Sequence, residues 1–166
     1  VMRVAAGRGE TLDHLPTVAP LLKEAADCAA GLGVRLCLET HHGLPTCRAD
    51  WIAAVLDAVG SPNLGVLYDP ANLAPDNAYK DVPRLLADRI FHVHIKNVYL
   101  DADGRKAVRP AFPPLGAADI QWVLKALADA GYDGNFAVEF EPHKPDCSVD
   151  EARKGLTQWL DFLKAH

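Results

Sequence analysis

Four ionisable residues stand at or near the ends of four short apolar runs: Glu39 after Val34–Leu38, Asp69 after Leu64–Tyr68, His94 within Phe91–Ile95, and Glu139 after Phe136–Val138. Three carboxylates gathered at one point would repel and raise one another's pKa values unless a cation shared them. A divalent metal is the economical solution. Three oxygen donors and one imidazole leave room for two further ligands, a set that suits Mn²⁺ or Mg²⁺, with Co²⁺, Fe²⁺ or Zn²⁺ also compatible. Whether the four residues meet depends on the elements that carry them.

Read as a regular strand, Arg89–Asn97 puts His92, His94 and Lys96 on one side and Phe91, Val93 and Ile95 on the other. One face can lie under helices; the other carries groups that an ordinary core rejects, so it should line a polar interior. Val34–Thr40 alternates in the same way, with Leu36 and Leu38 opposite Arg35, Cys37 and Glu39. Leu64–Asp69 is stopped by Pro70, Phe136–Glu141 puts Glu139 and Glu141 on one face, and Val1–Ala6 is a short strand followed by a loop at Gly7–Glu10.

Helical periodicity fills the intervals. Pro16–Ala30 carries Val18, Leu21, Leu22, Ala25, Ala26 and Ala29 as its stripe; Arg48–Val59, with Thr46 as N-cap, carries Trp51, Ile52, Val55, Leu56 and Val59. A short helix is expected near Val82–Ala87. Ala118–Ala130 follows with Ile120, Val123, Leu124 and Leu127, and a Ser148/Glu151 capping box opens a last helix bearing Leu156, Trp159, Leu160 and Leu163. Val98–Leu115 reads as a long loop with a turn at Asp101–Gly104, of the kind that forms lids.

Strand and helix thus alternate about five times, the pattern of a parallel α/β fold. No GxGxxG or Walker sequence follows any strand, which disfavours a nucleotide-binding doubly wound sheet. The expected fold is a partial (β/α)8 TIM-type barrel with about five of the eight units. A complete one needs about 200 residues or more, and this chain has 166. In such a barrel the C-terminal strand ends converge on one mouth, which would bring the four residues together. The chain enters directly at Arg3–Gly7 with no leading helix, so residues 1–166 are expected to be a single domain that is incomplete at its N-terminus.

Partial closure leaves sheet edges open, so a homo-oligomer or completion by an N-terminal segment is expected. A net charge of -5 without a basic block argues against a nucleic-acid partner. Cys28, Cys37, Cys47 and Cys147 fall in no zinc-like spacing, and no run has the length and apolarity of a secretion signal or membrane span. A reducing, cytoplasmic setting fits this pattern.

Four segments, in order and at strand ends, carry a resemblance: Leu-Cys-Leu-Glu39-Thr-His, Leu-Tyr-Asp69-Pro-Ala-Asn72-Leu, His-Val-His94-Ile-Lys96-Asn97 and Gly131-Tyr-Asp-Gly134-Asn-Phe-Ala-Val-Glu139. They resemble the xylose-isomerase-like barrel superfamily of sugar isomerases and epimerases, which shares its fold with endonuclease IV, from about the fourth strand onward. The resemblance implies one divalent metal on Glu39, Asp69, His94 and Glu139, with the two glutamates as acid and base. The implied reaction is isomerisation or epimerisation of a sugar, sugar phosphate or polyol ketone, by proton abstraction next to a metal-polarised carbonyl through an enediolate. Dehydration of a keto-polyol on the same centre and a non-catalytic barrel fragment are the alternatives; cleavage of abasic DNA ranks below both.

His42, Asn72 and Lys96 are the candidate substrate contacts. Asn72 stands where endonuclease IV and some epimerases carry His, and Asn97 where many relatives have Asp. Glu139 is preferred to Glu141 because it lies five residues after Gly134, as in the family. Plainer roles compete: Glu39 could pair with Arg35, Lys96 with a carboxylate, His92 could be a buried and hydrogen-bonded core residue, and His143 and Lys144 could be solvated loop residues.

Overall fold

A computed structural model describes residues 1–4, 12–104, 106–140 and 147–166, with backbone alone for 106–110. Along the chain run β1 (Met2–Val4), α1 (Leu15–Gly31), β2 (Leu36–Glu39), α2 (Ala49–Val59), β3 (Leu64–Tyr68), α3 (Pro70–Leu73), α4 (Asp81–Leu86) and β4 (Ile90–Ile95). They are followed by β5 (Asn97–Leu100), β6 (Lys106–Ala111), α5 (Ile120–Asp129), β7 (Phe136–Val138) and α6 (Val149–Ala165). Strands β1, β2, β3, β4 and β7 form one parallel sheet in that order. Sequential parallel neighbours joined by helices give a partial barrel wall, the expected architecture. Residues 7–10, Glu141, His143 and Lys144 lie outside the described residues.

The two faces of the sheet have separate jobs. Leu36, Leu38, Val66, Tyr68, Val93 and Ile95 join the helices in one apolar core. On the opposite, interior face, pairing aligns Arg3, Cys37 and Gly65 in one row and Glu39, Leu67 and His92 in the next. Register therefore decides which side chains can do chemistry.

Strand β4 departs from simple alternation. Its pairing with β3 jumps from Val66↔Ile90 to Leu67↔His92, a β-bulge that leaves Phe91 as the extra residue. Phe91, expected on the helix side, instead lies over Gly65, where an added Cβ would come within 2.5 Å of its ring. The Arg35 guanidinium stacks 4.8 Å from the ring centroid. Phe91 therefore lies on the interior side with its neighbour His92.

Helix ends largely follow their local signals. Pro16 sits in the first turn of α1, Gly60 takes the left-handed conformation that closes α2, Asp119 caps α5, and Ser148 with Glu151 forms the capping box of α6. Thr46 does not cap α2: Arg48 occupies that position without a side-chain cap, and Thr46 is buried with its Oγ1 unpartnered in a preceding 3₁₀ turn. In α1 the buried residues are Ala19, Ala26 and Ala29, while Val18, Leu21 and Ala25 are exposed. In α6 Trp159 is buried beside Gly155, and Leu156 and Leu160 are exposed.

The expected loop at 98–115 contains an antiparallel hairpin. β5 pairs with β6 around Asp101–Gly104, where Asp101 accepts from the backbone N–H of Asp103 and Gly104 has φ +76°. Asn97 fastens its base. Its Nδ2 donates to the carbonyls of Leu115 (3.1 Å) and Ala118 (2.7 Å), and its Oδ1 accepts from the N–H groups of Val98 and Ala118, both at 3.0 Å. An aspartate could not make the two donations, which gives the departure at this position a structural reason.

Candidate functional site

The strands deliver their residues at more than one height on the interior face. Glu39 ends β2 in the row of Leu67 and His92. Asp69 and His94 stand one step higher, because Tyr68 pairs with Val93. Glu139 follows β7, its N–H donating to the Ile95 carbonyl beside Lys96. Buried Leu67 gives the group an apolar floor.

One donor atom from each of Glu39, Asp69, His94 and Glu139 lies within 4.8 Å of every other. Asp69 is fully buried and divides its two oxygens. Oδ1 accepts from the first N–H groups of α3, Ala71 at 3.0 Å and Asn72 at 3.1 Å, while Oδ2 is left facing the cluster. Pro70 makes this geometry by ending β3 and starting a helix at once.

The cluster is held together by charge. His94 Nδ1 is 3.3 Å from Glu139 Oε2 and 3.6 Å from Glu39 Oε1. Lys96 Nζ is 2.7 Å from Glu139 Oε2 and 3.0 Å from Asp69 Oδ2. The carboxylates of Glu139 and Glu39 beside it push the His94 imidazole up to about 9. The same imidazole, aided by Lys96, holds Glu139 well below the usual carboxylate range. Burial pushes Asp69 up to about 6 against the pull of Lys96. Glu39, whose burial acts upward, is held low by His94 and Arg3 together. Burial would lower Lys96, but Asp69 and Glu139 outweigh it and raise it.

These residues fit a divalent ion. Asp69 Oδ2 and His94 Nδ1 are buried and have ion-pair neighbours, but no hydrogen bond of good alignment satisfies them. Buried polar atoms in that condition are costly unless a ligand completes them. Oxygen and nitrogen donors in a three-to-one ratio suit a hard or borderline cation.

The other candidates are placed as follows. Lys96 is buried on one flank of the cluster, between Asp69 and Glu139. Asn72 is buried and its Nδ2 donates to the Thr40 carbonyl at 3.2 Å, so it braces the β2 and β3 ends. His42 is on an exposed loop, with Nδ1 2.9 Å from Asp76 Oδ2, outside the cluster. His92 is half-buried rather than buried, its Nδ1 has no partner, and its ring meets that of His94 edge-on at 5.4 Å. Desolvation lowers its pKa.

Glu39 pairs with Arg3 rather than Arg35. Arg3 NH1 donates to Glu39 Oε2 at 2.6 Å and turns Oε1 towards His94. Arg3 went unnoticed in the sequence, although alternation along β1 and parallel pairing with Cys37 place it on the face of Glu39.

A family model described as a xylose isomerase-like TIM barrel matches residues 2–166. An inosose isomerase of Halalkalibacterium halodurans is 27% identical over 145 residues, covering 81% of this chain and 49% of its own. An inosose dehydratase of Geobacillus thermodenitrificans is 27% identical over 133 residues, covering 72% of this chain and 45% of its own. The chain thus spans about half the length of these curated relatives. A crystal structure of the IOLI protein with a zinc atom superposes with TM-score 0.77 over 96% of this chain and 61% of that one, at 18% identity. The full-length family match and the shared architecture lead to one conclusion: the chain belongs to the xylose isomerase-like TIM barrel family.

Proposed function

We propose that this chain carries the metal-binding half of a sugar or polyol ketone isomerase or epimerase, with Glu39, Asp69, His94 and Glu139 as ligands of one divalent cation. The observation that carries the reading is the convergence of four donor atoms within 4.8 Å at the C-terminal ends of parallel strands. Mn²⁺ or Mg²⁺ suits the oxygen-rich set, and the zinc of the IOLI structure shows that a protein of this fold also holds a softer ion.

Such an ion supplies Lewis-acid polarisation of a carbonyl, which acidifies the neighbouring carbon. The remaining work falls to the protein. Glu39 and Glu139 come from β2 and β7, with β3 and β4 between them, so their carboxylates approach a bound molecule from opposite flanks. One can take a carbon-bound proton and the other return one to the opposite side, which inverts or relocates the centre. Lys96, between Asp69 and Glu139, can donate to a substrate oxygen as charge develops there. Leu67 beneath and the buried Asp69 keep bulk water from that side.

The inosose dehydratase relative supports a second reading, loss of water from a keto-polyol. Both reactions begin with the same proton removal; they part when a neighbouring hydroxyl leaves. The test is incubation of the metal-loaded protein with inososes, ketoses and ketose phosphates in D₂O, followed by NMR and mass spectrometry. Deuterium incorporation next to the carbonyl, abolished in Glu139→Gln, is the expected result, and a product lighter by one water would select the dehydratase. No exchange with any ketone, by protein shown to hold its metal, would overturn the proposal.

A further inference from the structure

The centre already contains a cation of its own. Lys96 Nζ lies 2.7 Å from Glu139 Oε2 and 3.0 Å from Asp69 Oδ2, and its side chain is 6% exposed. Asp69 has one oxygen to offer, because Oδ1 is committed to the N–H groups of Ala71 and Asn72. A divalent ion taking Asp69 as ligand must therefore use Oδ2, the atom that Lys96 faces. Metal–oxygen bonds of about 2.0–2.6 Å put such an ion within about 6 Å of an ammonium left in place, whichever metal it is. Two cations that close, beside the fully buried Asp69 carboxylate, repel.

We propose that Lys96 is a placeholder cation. In the metal-free protein it holds Asp69 and Glu139 side by side against their mutual repulsion, and it competes with the metal that the same oxygens are built to take. Loading moves the ammonium off the ligands. This inference rests on the reading of the four residues as a metal centre. It assigns Lys96 a positioning role that precedes any contact with substrate, and it explains why three carboxylates can stay folded together before an ion arrives: Arg3 neutralises Glu39 from one flank, and Lys96 spans the other two.

The test compares wild type, Lys96→Met and Lys96→Arg. Mn²⁺ and Zn²⁺ affinities come from competition against a chromogenic chelator, and melting temperatures are taken with and without metal. Lys96→Met is expected to bind at least tenfold tighter than wild type and to melt lower without metal, with the deficit closing on loading. Lys96→Arg, which keeps the charge, should bind no tighter than wild type. A merely structural lysine would not produce a gain of affinity on its removal. Unchanged or weaker binding by Lys96→Met, with wild type holding about one ion, overturns the placeholder role and leaves the four-ligand centre standing. No binding by either protein overturns the metal reading itself. Should Lys96→Met need metal to fold, its recovery in Mn²⁺ replaces the titration, and failure to recover counts against the proposal.

Discussion

Asp69→Asn separates the two jobs of the most buried carboxylate. Asparagine keeps the volume and the Oδ1 acceptor for Ala71 and Asn72, and Asp and Asn cap helices about equally well, so α3 should start as before. Lys96 retains Glu139 at 2.7 Å. Burial raises Asp69 to about 6. A carboxyl whose folded pKa lies above its unfolded value favours folding most at low pH, and that contribution is lost as pH rises through about 6. Near neutrality that burial cost is set against the pull of the charged form on Lys96, so the metal-free variant should melt within a few degrees of wild type.

Metal sets the two proteins apart. At a concentration of about 100 Kd an ion stabilises the wild type by about 2.7 kcal/mol, which for a chain of this size raises Tm by roughly 5–11 °C. Loss of one charged ligand should weaken binding by about a hundredfold, so the same concentration equals the variant's Kd and contributes about 0.4 kcal/mol, roughly 1 °C. The assay is thermal melting with and without Mn²⁺. An undiminished metal-dependent rise would exclude Asp69 as a ligand. A metal-free midpoint lowered by more than about 5 °C would mean that the charge, not the cap, holds this corner of the fold.

Two further predictions concern pH and the hairpin anchor. Glu139 and Glu39 raise His94 to about 9, so its imidazolium stabilises the metal-free fold fully below pH 6.5 or so and ceases to do so as pH passes about 9. Metal must expel that proton, so affinity should climb about tenfold per pH unit between about 7 and 9, then level off; a flat profile in competition titrations would show His94 already neutral. Gly116→Ala, at φ +123° and with its Cβ directed into the Asn97 amide, should cost about 2–4 kcal/mol by denaturant unfolding, and a loss under about 0.5 kcal/mol would refute the anchor.

The alternation of Leu36 and Leu38 with Cys37 and Glu39 was enough to assign the faces of β2, and Pro70 after Asp69 marked the end of β3. The stripe of α2 is buried as its periodicity implies, and so is that of α5 apart from the half-buried Leu124. Other features were hidden because they depend on partners distant in sequence. A bulge belongs to the pairing of two strands, so nothing within Arg89–Asn97 announces that Phe91 turns inward. The pairing of Arg3 with Glu39 spans 36 positions. In α1, Val18 and Leu21 match a helical period as well as Ala19 and Ala26 do, and the packing of α2 decides between two overlapping stripes. Gly155 carries no hydrophobic signal, yet its lack of a side chain lets Phe112 and Phe140 close on α6. The turn and Pro110 made the hairpin look like a loop, and an edge ribbon of two strands tolerates a proline that an interior strand would reject.

The extra residue in β4 puts the two halves of that strand out of step. Counting outward from Ile90 in unbroken alternation, odd-numbered positions would face the interior, and His92, His94 and Lys96 would be driven into the helix layer; with the bulge, the phase inverts after Phe91 and these three turn to the interior. The bulge thus chooses which half of an alternating nonapeptide faces the interior of the barrel wall. Below that point the strand answers to packing around Gly65 and Arg35, above it to the demands of charge, and substitutions in one half need not respect the rhythm of the other.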